Sequence, residues 1–286
     1  MARTRRSNSE ITVIKDAVID ILSEESPLTV RGLFYRLVAR GHLDKTEREY
    51  QSTVRYVGQL RLAGALPWNT IADGVRTRRQ VSQYGSIGEL LRETARTYRR
   101  DYWRTSPTCV EVWVEKDAMT SILWEVCVKW GVPLFAVRGY SSLSALWSVA
   151  EHISSRAEYG QRTHIVYLGD HDPSGLNIPE VAQNRLNQFL PELGTDRHCF
   201  ELESICLTEE QIDTYGLLTR PPKKTDSRTR KSGITRCAEI DAMPISVIRE
   251  ITNAAVERHV HQDVWRRNLS AEESERKILS MWADAA

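Results

Sequence analysis

The sequence predicts an α/β protein with a helix-rich N-terminal domain. Apolar residues recur at helical spacing through residues 10–62, whereas short apolar runs alternate with helical segments from residue 108 onward. Such alternation is typical of a parallel sheet that helices cover on both faces. The 286 residues suffice for two domains with separate cores. We place these at residues 1–82 and 108–286, the second with a helical C-terminal extension, and join them by a linker helix over 83–107.

The two halves of the chain differ in charge. Residues 1–107 contain 19 Lys and Arg against 12 Asp and Glu, while the remainder contains 20 against 26. A basic half and an acidic half fit phosphate binding in the first and cation binding in the second. Five cysteines without C-x-x-C spacing favour a reducing compartment over a disulfide framework or a zinc site. With no signal-peptide core and no apolar run of ~20 residues, we expect a cytoplasmic protein and no membrane span.

The first three helical patterns are followed by a short hairpin. They cover residues 10–24, about 29–40, and a segment that begins at Thr46 and Glu49 with capping-box spacing. The stretch "LPWNTIADGVRTRRQV" then resembles two short strands around an Asp-Gly turn. Three helices and a hairpin predict a winged helix-turn-helix.

The third helix is the expected DNA-reading element. Its inward stripe is predicted to be Tyr50, Val54 and Val57. Its outer face would enter the major groove of double-stranded DNA while the hairpin arginines contact phosphates. The alternative is a three-helix domain with a solvated charged face. The predicted DNA-binding residues are Arg48, Gln51, Arg55, Arg76, Arg78 and Arg79.

The second helix contains a tyrosine outside its apolar stripe. In "VRGLFYRLVARG", Tyr35 lies off the stripe and one helical turn from Arg31, on a face expected to be half exposed. Such a tyrosine can attack a phosphate while the guanidinium stabilises charge on the phosphoryl oxygens. The alternative is a tyrosine at the rim of the core. The stripe itself consists of Leu33, Phe34, Leu37 and Val38.

The linker helix is predicted over about residues 86–104 with two distinct faces. Its apolar face should pack against the protein, whereas its basic face is either solvated or lies along a phosphate backbone. The apolar face contains Leu91, Ala95, Tyr98 and Tyr102, and the basic face contains Arg92, Arg96, Arg99 and Arg100.

Acidic residues follow two of the four predicted strands. Glu115 follows the first strand, and Asp170 and Asp172 follow the third. Because the carboxyl ends of parallel strands meet at one sheet edge, these side chains should converge. Three carboxylates together are costly without a divalent cation, and oxygen ligands favour Mg²⁺ or Mn²⁺. The alternatives are a surface turn, or the D-x-D sites of glycosyltransferases and phosphatases. The strands are expected at 109–114, 133–137, 164–168 and 198–207.

These motifs resemble those of a known family. Glu115, Gly139 and "DHDPSG" resemble the Toprim fold of topoisomerases, primases and related nucleases. "VRGLFYR" resembles the active-tyrosine motif of the A-type subunit of topoisomerase VI and of the related meiotic double-strand-break transesterase. "ICLTEEQIDTYGL" and "EIDAMP" are similar to later parts of the same topoisomerase chain, so the resemblance covers about residues 10–250. Gly32 stands where the family usually has an acid. The shorter chain is most similar to the stand-alone mini-A proteins of phages and plasmids.

The resemblance implies a winged helix followed by a Toprim domain, acting as a homodimer that cleaves double-stranded DNA. Tyr35 would become linked to a 5′ end, with a metal held by Glu115, Asp170 and Asp172. The tyrosine of one protomer would work with the Toprim site of the other, in a nucleoid-associated protein. A partner ATPase of the B type is not evident from the sequence. The alternatives are a hydrolytic Toprim nuclease in which Tyr35 is structural, and a non-catalytic DNA-binding regulator.

Overall fold

The computed structural model describes residues 6–71, 81–137, 142–222 and 233–286. Over these ranges the protein is an α/β fold built on a parallel sheet of four strands, as the sequence predicts. Three helices precede the sheet. They are α1 (Asn8–Glu24), α2 (Val30–Ala39) and α3 (Glu47–Leu62).

Hydroxyl side chains begin each of these three helices. Ser7 and Thr29 accept hydrogen bonds from backbone N–H groups in the first turns of α1 and α2, and Thr46 does so for α3. The predicted capping box of α3 is only half formed. The Glu49 carboxylate does not close the box but accepts a hydrogen bond of 2.6 Å from the Arg6 guanidinium.

The buried face of α3 differs from the predicted one. Val54 is 41% exposed, while Thr53 and Tyr56 are buried on the adjacent face of the helix. The prediction counted only apolar residues, and it missed that Thr53 satisfies its hydroxyl locally by donating to the Glu49 carbonyl at 2.9 Å. The helix is therefore rotated relative to the predicted stripe.

The predicted hairpin lies mostly outside the described residues. Its Asp73-Gly74 turn and the arginines at 76, 78 and 79 fall within residues 72–80. In the described part of the first predicted strand, Trp68–Thr70 form a short 3-10 helix and not a strand, and Ile71 pairs with Leu28 in an isolated parallel bridge.

The linker helix is shorter than predicted, and two arginines of its predicted basic face pair with the C-terminal helix. Helix α4 spans Ile87–Thr97, and the chain then continues without regular structure. Arg99 and Arg100 form ion pairs with acids of the C-terminal helix. Arg92, Arg96 and Arg99 nevertheless remain exposed, the Arg99 side chain at 52%, so most of the predicted basic face is solvated in this structure.

The sheet has the strand order β2-β1-β3-β4, with all neighbours parallel. The four predicted strands are all present, each within a few residues of its expected bounds. They are β1 (Thr108–Val114), β2 (Leu134–Ala136), β3 (Arg162–Leu168) and β4 (Phe200–Cys206).

Six further α-helices lie in the described ranges. They are α5 (Thr120–Trp130), α6 (Leu143–Glu158), α7 (Pro173–Glu192), α8 (Glu209–Thr214), α9 (Ile245–Glu257) and α10 (Gln262–Ala285). Of these, α5 and α9 pack on one face of the sheet and α6 and α7 on the other, while α10 packs against α4. One apolar cluster joins α1–α3 to β1, β3, α5 and α9, and a second cluster lies under α6 and α7. The chain runs from β1 to β2 in one direction and from β3 to β4 in the other, so the adjacent strands β1 and β3 flank a topological switch point.

The helices in these ranges are too short or too polar to span a membrane. None of the described helices has both the length and the apolar composition to cross a bilayer.

Candidate functional site

The carboxyl ends of β1 and β3 bring Glu115 and Asp170 together, as predicted. Val114 and Leu168 are register partners at the ends of these strands, and the Glu115 N–H donates to the Leu168 carbonyl at 2.9 Å. The Glu115 carboxylate in turn accepts a hydrogen bond of 2.9 Å from the Asp170 N–H. The two acids are thus held next to each other at the switch point.

The turn after β3 is closed by Asp172. This carboxylate caps α7 and accepts hydrogen bonds from the N–H groups of Ser174 at 2.9 Å and Gly175 at 2.8 Å. A Cβ on Gly175 would lie 2.1 Å from the Asp170 carbonyl oxygen, so only glycine fits this close approach. The "DPSG" sequence is therefore needed to fold the turn that positions both aspartates.

A segment from the C-terminal half, residues 237–243, crosses this edge of the sheet. Cys237 pairs with Arg220 and Ala238 pairs with His171, both in antiparallel bridges. The Ile240 N–H then donates to the Asp170 carboxylate at 2.9 Å. We call residues 237–243 the crossing segment. It adds two further acids, Glu239 and Asp241, to the site.

Lys116 lies at the centre of these acids. Its ammonium is 2.9 Å from both the Asp170 and the Asp241 carboxylates and 3.5 Å from Glu239. Burial lowers the pKa of Lys116, but these three carboxylates outweigh burial and raise it overall. The lysine is therefore a permanent internal cation of the site.

The remaining negative charge is poorly compensated near Glu115. Burial, together with the Asp170 carboxylate, raises the pKa of Glu115 to about 7. Burial also raises the pKa of Asp170, although Lys116 opposes this. Carboxylates that lie this close together, with too little positive charge beside them, are the type of ligand that binds a hard divalent cation. In the described ranges, however, no three His, Cys, Asp or Glu side chains already stand around one point as metal ligands.

Helix α2 docks on the crossing segment through buried polar contacts. The Thr29 hydroxyl donates to the Asp241 carboxylate at 2.8 Å. The Arg36 guanidinium donates to the backbone carbonyls of Asp241, Ala242 and Met243 at 3.2, 3.1 and 2.8 Å. These contacts fix the N-terminal helices against the carboxyl edge of the sheet.

Gly32 lies at the same junction. A Cβ here would be 3.6 Å from the Asp241 carbonyl oxygen and 3.3 Å from the Thr29 hydroxyl. An acidic side chain at position 32 would therefore add negative charge next to a segment that already contains Glu239 and Asp241.

Tyr35 faces this site but is buried, which corrects the prediction of a half-exposed residue. It is only 4% exposed because α2 packs against the crossing segment. The Glu239 carboxylate is close enough to affect the pKa of Tyr35, and Arg31 lies 3.6 Å from the same carboxylate. Burial and Glu239 raise the pKa of Tyr35, while Arg31 and Lys116 oppose the increase. The predicted proximity of Arg31 and Tyr35 is thus present, and both residues share Glu239.

The predicted DNA-binding residues of α3 are exposed. Arg48 and Arg55 line an open groove of about 750 Å³ between α1 and α3, together with Arg6. Gln51 is exposed but donates a hydrogen bond to Glu47 at 2.9 Å and does not line this groove. The other three predicted arginines lie at 76–79, outside the described residues, as does Gly139.

Sequence reasoning missed Lys116, Glu239 and Asp241 as site residues. The available signal for Lys116 was its position directly after Glu115 at the end of β1, at the same edge of the sheet. The two acids of "EIDAMP" have the same one-residue separation as Asp170 and Asp172. No pattern in the sequence indicates that residues 239–241 return to the sheet edge, because that contact spans 70 residues between Asp170 and Ile240.

No protein-family model, curated protein or solved structure matches this chain.

Proposed function

We propose that this protein cleaves DNA by transesterification, with a winged-helix N-terminal domain that contains Tyr35 and a Toprim domain that contains the acidic residues. One observation supports this most: Tyr35, Glu239 and Lys116 adjoin the carboxylates at the switch point of the sheet. A nucleophile, a proton acceptor and a cation are the groups that phosphoryl transfer from a diester requires.

The proposed step exchanges one phosphoester bond for another. The Tyr35 oxygen forms a bond to phosphorus and its proton passes to the Glu239 carboxylate, which is near enough to raise the pKa of Tyr35. The bond from phosphorus to the 3′ oxygen breaks, and that oxygen takes a proton from solvent. The product is a 5′-phosphotyrosyl link. Arg31 stabilises charge on the phosphoryl oxygens.

A divalent cation, Mg²⁺ or Mn²⁺, belongs to this proposal. Glu115, Asp170 and Asp172 would hold it through oxygens that their structural hydrogen bonds leave available. When bound, such an ion stabilises negative charge on phosphoryl oxygens. The raised pKa of Glu115 supports a site that favours an added positive charge.

The proposed partners are double-stranded DNA and a second copy of the chain. Arg48 and Arg55 would contact phosphates from the exposed face of α3, and the hairpin arginines would extend this contact. A homodimer would place two sites on opposite strands and so cut both.

The decisive experiment traps a covalent protein–DNA adduct. Wild-type protein with Mg²⁺ and labelled duplex DNA should yield denaturant-resistant adducts, and Tyr35→Phe should yield none while it still binds DNA. Tyr159→Phe, at a highly exposed tyrosine, is the matched control and should form adducts at the wild-type level. If Tyr35→Phe still cuts at the wild-type rate, transesterification is excluded.

A second candidate is hydrolysis by a Toprim nuclease, which the burial of Tyr35 favours. In that case Tyr35 is structural, no adduct forms and cutting still requires the acids. Asp172→Asn tests the acids better than alanine, because asparagine retains an oxygen for the α7 cap. Loss of cutting in Asp172→Asn, with an unaffected Tyr35→Phe, would favour hydrolysis. DNA binding by a wild-type protein that never cuts would identify a non-catalytic regulator.

A further inference from the structure

We propose that Lys45 and Arg220 join Arg31 in a subsite that binds one phosphodiester of DNA beside Tyr35. This inference rests on the proposed function and adds to it two residues from separate parts of the chain. Three features support the subsite: the position of each cation, the contacts that hold it, and the presence of only two carboxylates, Glu239 and Asp172, within 4 Å of the three cations among the described residues.

Lys45 comes from the connection between α2 and α3. Its ammonium lies 5.2 Å from the centre of the Tyr35 ring and makes a long contact of 3.4 Å with the Leu218 carbonyl. Among the described residues no carboxylate lies within ion-pair distance of it, although Glu239 is near enough to act on its charge. The ammonium of Lys45 therefore has N–H donors available for an anion next to Tyr35.

Arg220 comes from the C-terminal half and its backbone is fixed. Two hydrogen bonds of 2.8 and 2.7 Å join it to Cys237 in the crossing segment, two residues before Glu239. Its guanidinium is 3.9 Å from the Asp172 carboxylate, which is too far for a hydrogen bond, and its side chain is about one-third exposed. The rigid backbone and the loosely paired guanidinium suit a residue that binds a ligand.

Arg31 completes the set from α2. Its guanidinium lies 4.5 Å from the centre of the Tyr50 ring and 3.6 Å from Glu239, and its side chain is 37% exposed. The ring orients the guanidinium plane without using its N–H donors. Those donors can form two parallel hydrogen bonds to the oxygens of one phosphate.

The charge on this side of the site favours an anion. Arg31 and Lys45 both act on Glu239, which Lys116 also shares, and Arg220 lies 3.9 Å from Asp172. Asp241 adds a smaller effect on Arg31, so in the described ranges three cations lie on this side of the site with two carboxylates within 4 Å of them. Arg220 is near enough to Lys45 to lower the pKa of that lysine, after the larger effect of burial. A phosphodiester would add the negative charge that these cations lack and would hold phosphorus close to the Tyr35 hydroxyl.

The test measures binding of the full chain to a 20-base-pair duplex in EDTA, in the Tyr35→Phe background, as KCl is varied. We expect Lys45→Gln and Arg220→Gln each to weaken binding about 5- to 10-fold and to reduce the slope of log affinity against log salt by about one. Lys45→Arg should stay within about twofold because it keeps the charge. Lys277→Gln is the matched control at an exposed lysine of α10 and should also stay within about twofold.

A double variant tests whether the two cations share one phosphate. The combined Lys45→Gln, Arg220→Gln change should weaken binding by less than the product of the single effects. Multiplicative effects, or a Lys45→Gln protein that binds like the Lys277→Gln control, would overturn the subsite. Because this assay involves no cleavage, its failure is distinct from a failure of the adduct experiment on Tyr35.

Discussion

At the scale of single residues, Lys116 determines the electrostatics of the site. Its ammonium neutralises part of the charge of Asp170, Asp241 and Glu239, and so allows these acids to pack next to a buried tyrosine. Glu115 lies one residue earlier but receives little of this benefit, as its raised pKa indicates. Lys116 thus pairs with three of the acids, whereas Glu115 has no ion-pair partner among the described residues.

This difference predicts a pH dependence of folding. The pKa of Glu115 is about 7 in the folded chain against an ordinary value of 4.5, so as pH rises the unfolded chain loses this proton first. Glu115 should therefore lower the free energy of unfolding between about pH 4.5 and pH 7, by on the order of 3 kcal/mol. His259 acts in the opposite direction over much of this range, because burial lowers the pKa of its imidazole to about 4. Urea unfolding in EDTA at several pH values measures this.

Glu115→Gln is the control for that measurement. Glutamine keeps an oxygen for the Asp170 N–H but cannot ionise, so the fall should become smaller. Asp170, whose pKa is also raised, accounts for what remains. A Glu115→Gln protein whose free energy of unfolding follows the wild-type pH profile from pH 4.5 to pH 7 would contradict this description of Glu115.

A second residue-scale prediction concerns Gly175. Its alanine variant would place a Cβ 2.1 Å from the Asp170 carbonyl oxygen, so the turn after β3 must shift. We expect a loss of about 2 to 4 kcal/mol in the free energy of unfolding. Gly58→Ala is the control in α3, with nothing within 4 Å of its Cβ, and should stabilise by about 0.5 to 1 kcal/mol. Equal effects of the two changes in urea unfolding would refute this account of the turn.

At the scale of elements, sequence patterns predicted the strands better than the ends and faces of helices. The strands of a buried parallel sheet are continuous apolar runs, so β1 and β3 are evident from "VEVWV" and "HIVYL". The end of α4 at Thr97 depends instead on acids of α10, more than 170 residues away. Contacts of that separation leave no local signal.

The junction between α4 and α10 has one central acid, Glu272. It is 4% exposed and accepts hydrogen bonds from the Tyr102 hydroxyl at 2.5 Å, from the Arg100 N–H at 2.9 Å and from the Arg99 guanidinium at 3.0 Å. Glu272→Ala would leave these donors unsatisfied, so we expect a loss of about 3 kcal/mol in the free energy of unfolding.

The neighbouring residue provides a matched control for this prediction. Glu273 is 70% exposed and, among the described residues, has Lys277 at 2.8 Å as its one ion-pair partner. Glu273→Ala should change the free energy of unfolding by less than about 0.5 kcal/mol. Thermal or urea unfolding that ranks the two changes in the opposite order would show that α10 does not hold the linker in the described way.

At the scale of the whole molecule, the docking of α2 on the crossing segment unites the two halves of the chain. The sequence predicted a nucleophile in one half and acids in the other, but it could not show that Arg36 joins them through three backbone carbonyls. Because every residue has a backbone carbonyl, no pattern in the sequence marks the three that Arg36 contacts. Consequently Tyr35 lies beside Glu239 and Lys116 of its own chain.

This arrangement predicts that each active site is formed within one chain, in contrast to the shared sites that the family resemblance implies. If Tyr35 works with the acids of its own chain, a heterodimer of Tyr35→Phe and Asp172→Asn chains has no intact site and should not cut. A heterodimer of wild type with the double variant Tyr35→Phe, Asp172→Asn keeps one intact chain and should nick one strand. Shared sites reverse both results, because the first heterodimer then contains one complete site and the second contains none. Co-expression with two affinity tags isolates each heterodimer, and supercoiled plasmid separates nicked from linear products. Nicking by the first heterodimer alone would show that DNA draws Tyr35 away from Glu239 to the partner's acids.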